Sequence, residues 1–134
     1  MINNDNYKHS EITDKIIKAF FKVYNTLGYG FLENVYENAM FIELVSMGLS
    51  VEKQQHVNVY YEENKVGVYC SDLTVESKVI VELKTSELLC HDDEYQLINY
   101  LKATEREVGL LLNFGKKPEF KRKVFSNQKN LIQS

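Results

Sequence analysis

Residues 72–84 read Asp-Leu-Thr-Val-Glu-Ser-Lys-Val-Ile-Val-Glu-Leu-Lys, and this stretch predicts a β-hairpin. A turn centred on Ser77 places Asp72 directly across from Glu82, because both residues are equally far from that centre. Since side chains alternate along a strand, Lys84 projects on the same face as Glu82. The hairpin therefore gathers two carboxylates and one ammonium group on one face.

The opposite face of the same hairpin is apolar. A slip of one residue would bury the two carboxylates, so the apolar face fixes the register. The residues predicted on this buried face are Leu73, Val75, Val79, Val81 and Leu83.

Length and composition indicate one globular domain over residues 1–134, with 44% hydrophobic and 26% charged residues. Cys70 and Cys90 show no disulfide-framework spacing and are interpreted as reduced thiols, a disulfide being the minor alternative. The polar start of the chain does not resemble a signal peptide, and no apolar run is long enough to cross a bilayer. We therefore expect a cytoplasmic protein with no membrane partner.

Hydrophobic periodicity predicts a helix–helix–strand–strand–strand–helix–strand order, ααβββαβ. The last strand follows a helical crossover, so it pairs in parallel with an earlier strand. The fold class is α/β, with a four- or five-stranded mixed sheet and helices on its faces. The predicted elements are a helix capped by Ser10 and running to about Leu27, a helix at about 32–47, strands at 51–61, 66–75 and 78–84, a helix at about 92–103, and an apolar strand at 107–113.

The second helix carries two apolar rows. The pattern predicts that one row forms the buried stripe and that the other extends it. The first row is Val35, Ala39, Ile42 and Val45, and the second is Met40, Leu44 and Met47.

The pair Asp72 and Glu82 predicts a divalent-cation site, because adjacent carboxylates repel each other unless a cation lies between them. Mg²⁺ suits this pair, since it binds one or two carboxylates and keeps waters and substrate phosphates as further ligands. Lys84 beside the ion could position or deprotonate a water, or stabilise charge on a phosphate. The alternative is an exposed strand face with a cross-strand ion pair.

Two helices offer further polar pairs. Glu33 and Tyr36 are three residues apart at the start of the second helix and share a face. Gln96 and Tyr100 are four apart on the third helix, where an amide and a phenol suit orienting a water or a phosphate. The alternatives are a capped helix start with a buried tyrosine, and an unremarkable helix face.

The C-terminal segment 116–134 is basic, while the net charge of the chain is −3. A basic segment on an acidic body is suited to hold a phosphate backbone. The alternative is a solvated terminal tail. The candidate nucleic-acid contacts are Lys116, Lys117, Lys121, Arg122 and Lys123.

Four motifs in this order resemble the GxxExxY proteins, small members of the PD-(D/E)XK nuclease-like superfamily. The motifs are Gly30-x-x-Glu33-x-x-Tyr36, Asp72, Glu82-Leu-Lys84 and Gln96-x-x-x-Tyr100, and Leu-Leu-Asn113-Phe114-Gly115 matches the usual ending. The resemblance spans about residues 10–115. The superfamily's proline before its aspartate is absent, since Cys70-Ser71 precede Asp72.

The resemblance implies a restriction-endonuclease-like core that hydrolyses phosphodiester bonds of nucleic acid, with DNA favoured. It implies Mg²⁺ as cofactor, with Mn²⁺ as a substitute. Asp72 and Glu82 would bind the metal directly, with Glu33 nearby and the Leu83 carbonyl as a further ligand. Lys84 would be the catalytic lysine, and the site-supporting residues would be Gln96, Tyr100 and Tyr36.

Two questions follow from the residues themselves. The acids Asp92, Asp93 and Glu94 would repel phosphates if they faced the cleft, and we expect them to cap the third helix instead. The alternative to a nuclease is a non-catalytic binding or interaction module that acts with a protein partner. Phe120 and Phe125 are candidate exposed contacts for a homodimer.

Overall fold

The computed structural model describes residues 8–126, which form a five-stranded mixed sheet with helices on both faces. In chain order the elements are α1 (Ser10–Leu27), α2 (Glu33–Ser46), β1 (Val51–Tyr61), β2 (Asn64–Val75), β3 (Val79–Lys84), α3 (His91–Thr104), β4 (Val108–Phe114) and β5 (Pro118–Val124). The α/β class and the predicted element order are confirmed as far as β4.

The strands lie side by side in the order β1-β2-β3-β4-β5. The first three form an antiparallel meander, α3 crosses over so that β4 is parallel to β3, and β5 returns antiparallel to β4. The parallel crossover strand is confirmed. Residues 118–124 were assigned to a basic terminal segment, whereas they form an edge strand; residues 127–134 of that segment lie outside the described part of the chain.

Two apolar layers enclose the sheet. One layer contains α1 and α2, and the other contains α3. All seven residues of β4 are buried, as expected for a strand covered on both faces. None of the described helices is long and apolar enough to cross a membrane.

The hairpin of β2 and β3 has the predicted register. Its Cα partners are Val75 with Val79, Thr74 with Ile80, and Leu73 with Val81. The turn residues Glu76 and Ser77 both have left-handed φ angles, of 55° and 54°, as in tight hairpin turns. The predicted apolar face is fully buried, with every member at most 2% exposed: Leu73, Val75, Val79, Val81 and Leu83.

Three local predictions were wrong. Ser10 is the first helical residue of α1, and the N-cap is His9, whose side chain makes no capping hydrogen bond. On α2 the buried residues are Tyr36, Met40 and Leu44, whereas Ile42 and Val45 of the predicted stripe are 68% and 47% exposed. Of the two candidate dimer contacts, Phe125 is partly buried against the α3 layer, while Phe120 is 38% exposed. Cys70 and Cys90 are free thiols, as predicted.

Candidate metal site at the ends of two strands

Asp72 lies where the pairing of β2 with β3 stops. The register continues towards Asp72 opposite Glu82, yet the paired residues end at Leu73 and Val81. Beyond them a side chain replaces the backbone as the hydrogen-bond acceptor, because Oδ2 of Asp72 accepts a hydrogen bond of 2.8 Å from the Leu83 backbone N–H. The hydrogen bond fixes the Asp72 carboxylate against β3. Leu83 was predicted to contribute its carbonyl, and the contact seen here is made by its N–H.

β2 changes face at Asp72. The buried hydroxyls of Ser71 and Thr74 lie 3.1 Å apart, although residues three apart on a regular strand point to opposite faces. On β1, the pairing skips Gln54, which has a left-handed φ of 51°. Such an irregularity re-aims side chains, as a β-bulge does. It brings Tyr69 onto the same face as Ile80 of β3.

Glu82 is partly buried, and Tyr69 lies beside its carboxylate. Oε1 of Glu82 accepts a hydrogen bond from the Tyr69 hydroxyl and lies 3.4 Å from the Asp72 backbone N. Burial, and then the negative charge of Asp72, raise the pKa of Glu82 to about 8. The pKa of the Tyr69 hydroxyl is also raised, by burial first and then by Glu82. The Tyr69 hydroxyl, the Asp72 N–H and the charge of Lys84 oppose the shift of the Glu82 pKa without cancelling it.

Tyr100 and Gln96 differ in their closeness to the carboxylates. The Tyr100 ring stacks on the Tyr69 ring at an interplanar angle of 18°. Burial and the nearby Glu82 charge raise the pKa of the Tyr100 hydroxyl. Gln96 is exposed one turn earlier on α3, and within residues 8–126 it makes no hydrogen bond to Asp72 or Glu82.

Glu33 approaches the same group from α2. Its carboxylate lies close to Thr85, the residue after Lys84, whose side chain and backbone act to lower the Glu33 pKa. Although Glu33 is solvent-accessible, partial desolvation of its carboxylate raises its pKa. The negative charge of Asp72 raises this pKa further, and the positive charge of Lys84 opposes the shift. The structure thus gathers the four charged residues of the predicted set.

Lys84 faces an acid of α3. Its Nζ lies 3.9 Å from Oδ1 of Asp93, whose Oδ2 accepts a hydrogen bond of 3.1 Å from the Cys90 backbone N. Asp93 therefore caps α3, as expected of the acid cluster, and it also forms an ion pair with the lysine. Glu94 turns instead to Lys123 on β5, at 2.5 Å.

Tyr36 lies in the core rather than beside the carboxylates. It is fully buried, its ring stacks on Phe114, and its hydroxyl donates to the Gly28 carbonyl at 2.7 Å. The same hydroxyl accepts a hydrogen bond of 3.2 Å from the Phe31 N–H. Tyr36 thus fixes the loop that leads into Glu33.

The five predicted nucleic-acid contacts do not form one surface. Lys116, Lys117 and Lys121 are exposed. Lys123 is paired with Glu94, and Arg122 donates to the Lys8 carbonyl. Because β5 is a strand, neighbouring basic residues point to opposite faces of the sheet.

Sequence reasoning missed Tyr69 and Asn113. No pattern marks Tyr69, because only the irregularity in β2 brings it to Glu82. Asn113 is a polar residue in an apolar strand, and a buried amide requires partners. Its Oδ1 accepts from the Ser86 N–H and its Nδ2 donates to the Ser86 carbonyl, both at 2.9 Å, which fixes the segment after Lys84.

The donor set suits a hard divalent cation. Asp72 and Glu82 are adjacent carboxylates, and burial together with the charge of Asp72 raises the pKa of Glu82, although Lys84 opposes the shift. Mg²⁺ needs only one or two carboxylates. Within residues 8–126, no three His, Cys, Asp or Glu side chains are already arranged as a complete metal-binding group. The residues present fit an ion that keeps most of its waters.

A mixed sheet of this topology, with two carboxylates and a lysine on its neighbouring strands β2 and β3, has the architecture of a restriction-endonuclease-like protein. A family model of the PD-(D/E)XK nuclease superfamily matches residues 10–123. This chain belongs to the PD-(D/E)XK nuclease superfamily. Nucleases of this superfamily typically use divalent metals and act on nucleic acid.

One solved structure, titled "Crystal structure of SSO0001", is similar to this chain with a TM-score of 0.55 and 16% sequence identity. The match covers 75% of this chain and 54% of that one, so the chain spans about half of that structure. At this identity the likeness shows the fold. No curated protein sequence matches the chain at a significant level.

Proposed function

We propose that this protein is a Mg²⁺-dependent nuclease that hydrolyses phosphodiester bonds of nucleic acid, DNA being the favoured substrate. The observation that carries the proposal is the convergence of Asp72, Glu82 and Lys84 where the pairing of β2 with β3 stops. Glu33 reaches the same place from α2. Superfamily membership supports the same chemistry.

Asp72 and Glu82 would hold the ion, with Glu33 and the Leu83 carbonyl as candidate further ligands and Mn²⁺ as a substitute ion. When bound, the divalent ion supplies Lewis-acid activation of the attacking water and neutralises charge on the phosphate. The Leu83 N–H orients the Asp72 carboxylate, and the Tyr69 hydroxyl orients that of Glu82.

Lys84 would stabilise the negative charge that develops on the phosphate as the bond breaks. The Lys84 ammonium group forms an ion pair with Asp93 of α3, which limits the positions that it can take. Tyr100 supports Glu82 indirectly by stacking on Tyr69. Gln96 is exposed on α3, one turn before Tyr100, and is assigned to substrate contact.

Within the superfamily, we assign the chain to the GxxExxY proteins. Gly30, Glu33 and Tyr36 carry this assignment. Tyr36 fixes the loop around Gly30, and that loop delivers Glu33 to Thr85. The spacing of the motif thus lets Tyr36 of α2 bind the loop that precedes Glu33.

The test is cleavage of single-stranded, duplex and branched DNA and of RNA, with Mg²⁺ or with EDTA. We expect cleavage that requires the metal and falls at least about a hundredfold in Lys84→Ala, since loss of one charge-stabilising donor costs roughly that factor. Lys15→Ala, an exposed lysine of α1, is the matched control. Cleavage that is equal in Lys84→Ala and wild type would refute the assignment.

The acidic net charge of −3 favours a second candidate, a non-catalytic module that acts with a protein partner. Thermal melting separates the two, because an ion that binds only the native state raises the melting temperature. The nuclease proposal predicts a rise with Mg²⁺ or Mn²⁺ in wild type and none in Asp72→Asn. The matched control is Asp14→Asn on α1, which should behave as wild type. No metal effect in wild type would favour the module.

A further inference from the structure

A cleft of about 370 Å³ lies directly beside the candidate metal site. Three segments line it: residues 29–32 before α2, residues 85–87 after β3, and residues 114–116 after β4. Leu32 and Thr85 of this lining directly neighbour Glu33 and Lys84 in the chain, and Glu33 lies close to both Thr85 and Asp72. A molecule bound at the metal site would therefore extend into the cleft.

The walls of the cleft are fixed before any ligand binds. Asn113 holds both backbone groups of Ser86, and Tyr36 holds the Gly28 carbonyl and the Phe31 N–H. Gly115 permits the close approach of the strands' ends, because a Cβ there would lie 2.5 Å from the Ser86 carbonyl oxygen. The shape of the cleft therefore depends on the buried side chains of Asn113 and Tyr36.

The lining combines exposed aromatic rings with positive charge. Tyr29 is 57% exposed and Phe31 is 47% exposed, and the Phe31 ring is held edge-on by Tyr36. Lys116 lies at the rim, with Glu87 on the opposite segment. Aromatic rings stack on any nucleobase, a lysine attracts backbone phosphate, and a carboxylate accepts hydrogen bonds from base amino groups.

We propose that this cleft binds one unpaired nucleotide adjoining the scissile phosphate, with its base against Tyr29 and Phe31. The inference rests on the proposed nuclease function and specifies its substrate as single-stranded or locally unpaired nucleic acid. The volume is at the lower end of small-ligand pockets, roughly 300–1,000 Å³, which suits one nucleoside. A base inside a duplex cannot enter unless it leaves the stack.

The experiment measures binding of the full chain carrying Lys84→Ala, so that cleavage does not interfere. Single-stranded oligonucleotides carry 2-aminopurine at one position at a time, and a fully paired duplex of the same sequence is the comparison. We expect the fluorescence of 2-aminopurine to be quenched on binding at one position of the oligonucleotide. Tyr29→Ala and Phe31→Ala should each weaken the affinity for single-stranded oligonucleotides roughly tenfold. Affinity for the duplex should stay unchanged in these variants.

Tyr60→Ala and Tyr61→Ala are matched controls, since both tyrosines are similarly exposed but lie at the far end of the β1–β2 hairpin. Equal affinities in the Tyr29, Phe31 and control variants would overturn the proposal, and so would an absence of quenching at every position. If wild type cleaves DNA without any dependence on these rings, the nuclease stands and the base site is wrong. If the rings matter for binding but wild type does not cleave, the base site stands and the nuclease is wrong.

Discussion

At the scale of single residues, Glu82 shows how a buried carboxylate of the candidate metal site opposes stability. Its carboxylate is partly buried next to Asp72, and its pKa is raised to about 8. The folded state therefore holds a proton more tightly than the unfolded chain, whose reference pKa is 4.5. The fold is most stable with respect to this group below about pH 4.5 and loses stability as the pH rises towards 8.

Glu82→Gln should stabilise the metal-free protein at pH 8, by on the order of 1–3 kcal/mol, because the neutral amide avoids the repulsion. Its oxygen still accepts the Tyr69 hydrogen bond. The gain should shrink towards pH 4.5, where Glu82 is protonated in wild type. Urea unfolding in EDTA across this pH range measures it. Glu63→Gln, at the β1–β2 turn, is the matched control, and an equal pH dependence in both variants would contradict the prediction.

Tyr36→Phe should destabilise the protein by about 1–3 kcal/mol, because the Gly28 carbonyl and the Phe31 N–H lose a buried partner. Stacking of the ring on Phe114 is retained, so the change isolates the hydroxyl. Denaturant unfolding gives the free energy of unfolding. Tyr61→Phe removes an exposed hydroxyl and should leave the free energy of unfolding unchanged. An equal loss of stability in the two variants would show that the hydrogen bonds of Tyr36 to Gly28 and Phe31 do not stabilise the fold.

At the scale of elements, α3 depends on a close approach to β4. A Cβ at Gly109 would lie 2.8 Å from Cδ1 of Leu97 and within 3.2 Å of two further atoms of that buried side chain. The helix carries Asp93 and Tyr100, so its distance from the sheet sets their positions beside Lys84 and Glu82. One small residue in β4 thus controls the geometry of one wall of the site.

Gly109→Ala should destabilise the protein by about 1–3 kcal/mol through overpacking against Leu97. Gly67→Ala is a matched control on β2, because a Cβ there meets no atom within 4 Å and alanine costs less backbone entropy than glycine. Thermal melting compares the two variants. A melting temperature of Gly109→Ala at or above that of Gly67→Ala would mean that α3 adjusts without cost.

At the scale of the whole molecule, charge is distributed over separate surfaces. Arg122 is engaged with the Lys8 carbonyl, and Lys123 is paired with Glu94, which also feels the charge of Lys121. The exposed cations Lys116, Lys117 and Lys121 remain available to a phosphate backbone. Since β5 belongs to the sheet, deletion of residues 116–134 would damage the fold, so charge removal is the cleaner test.

Replacing Lys116, Lys117 and Lys121 with Gln should weaken binding of single-stranded DNA. It should also reduce the magnitude of the slope of log K against log salt by about 2, because three phosphate contacts are lost. A titration over a range of salt concentrations measures the slope. The control replaces the exposed Lys15, Lys18 and Lys65 with Gln and lowers the net charge equally. The same change of slope in both triple variants would indicate a diffuse charge effect without a defined contact surface.

The element order, the hairpin register and the burial of β4 followed from the sequence because periodicity and turn residues act locally. Residues 72–84 alone place Asp72, Glu82 and Lys84 together, and the observed apolar face of the hairpin agrees. The buried stripe of α2 was harder to predict, because apolar residues occupy more than one side of that helix and only its neighbours decide which side is covered.

The tertiary structure alone decided three features. β5 became a strand because β4 offers it an edge, although its own basic sequence is typical of a solvated segment. Tyr69 reached Glu82 because β2 changes face at Asp72, where the pairing with β1 is irregular. The Glu33 contact with Thr85 joins segments about fifty positions apart. Short-range patterns determine which face a residue occupies, whereas contacts between distant segments depend on how whole elements pack.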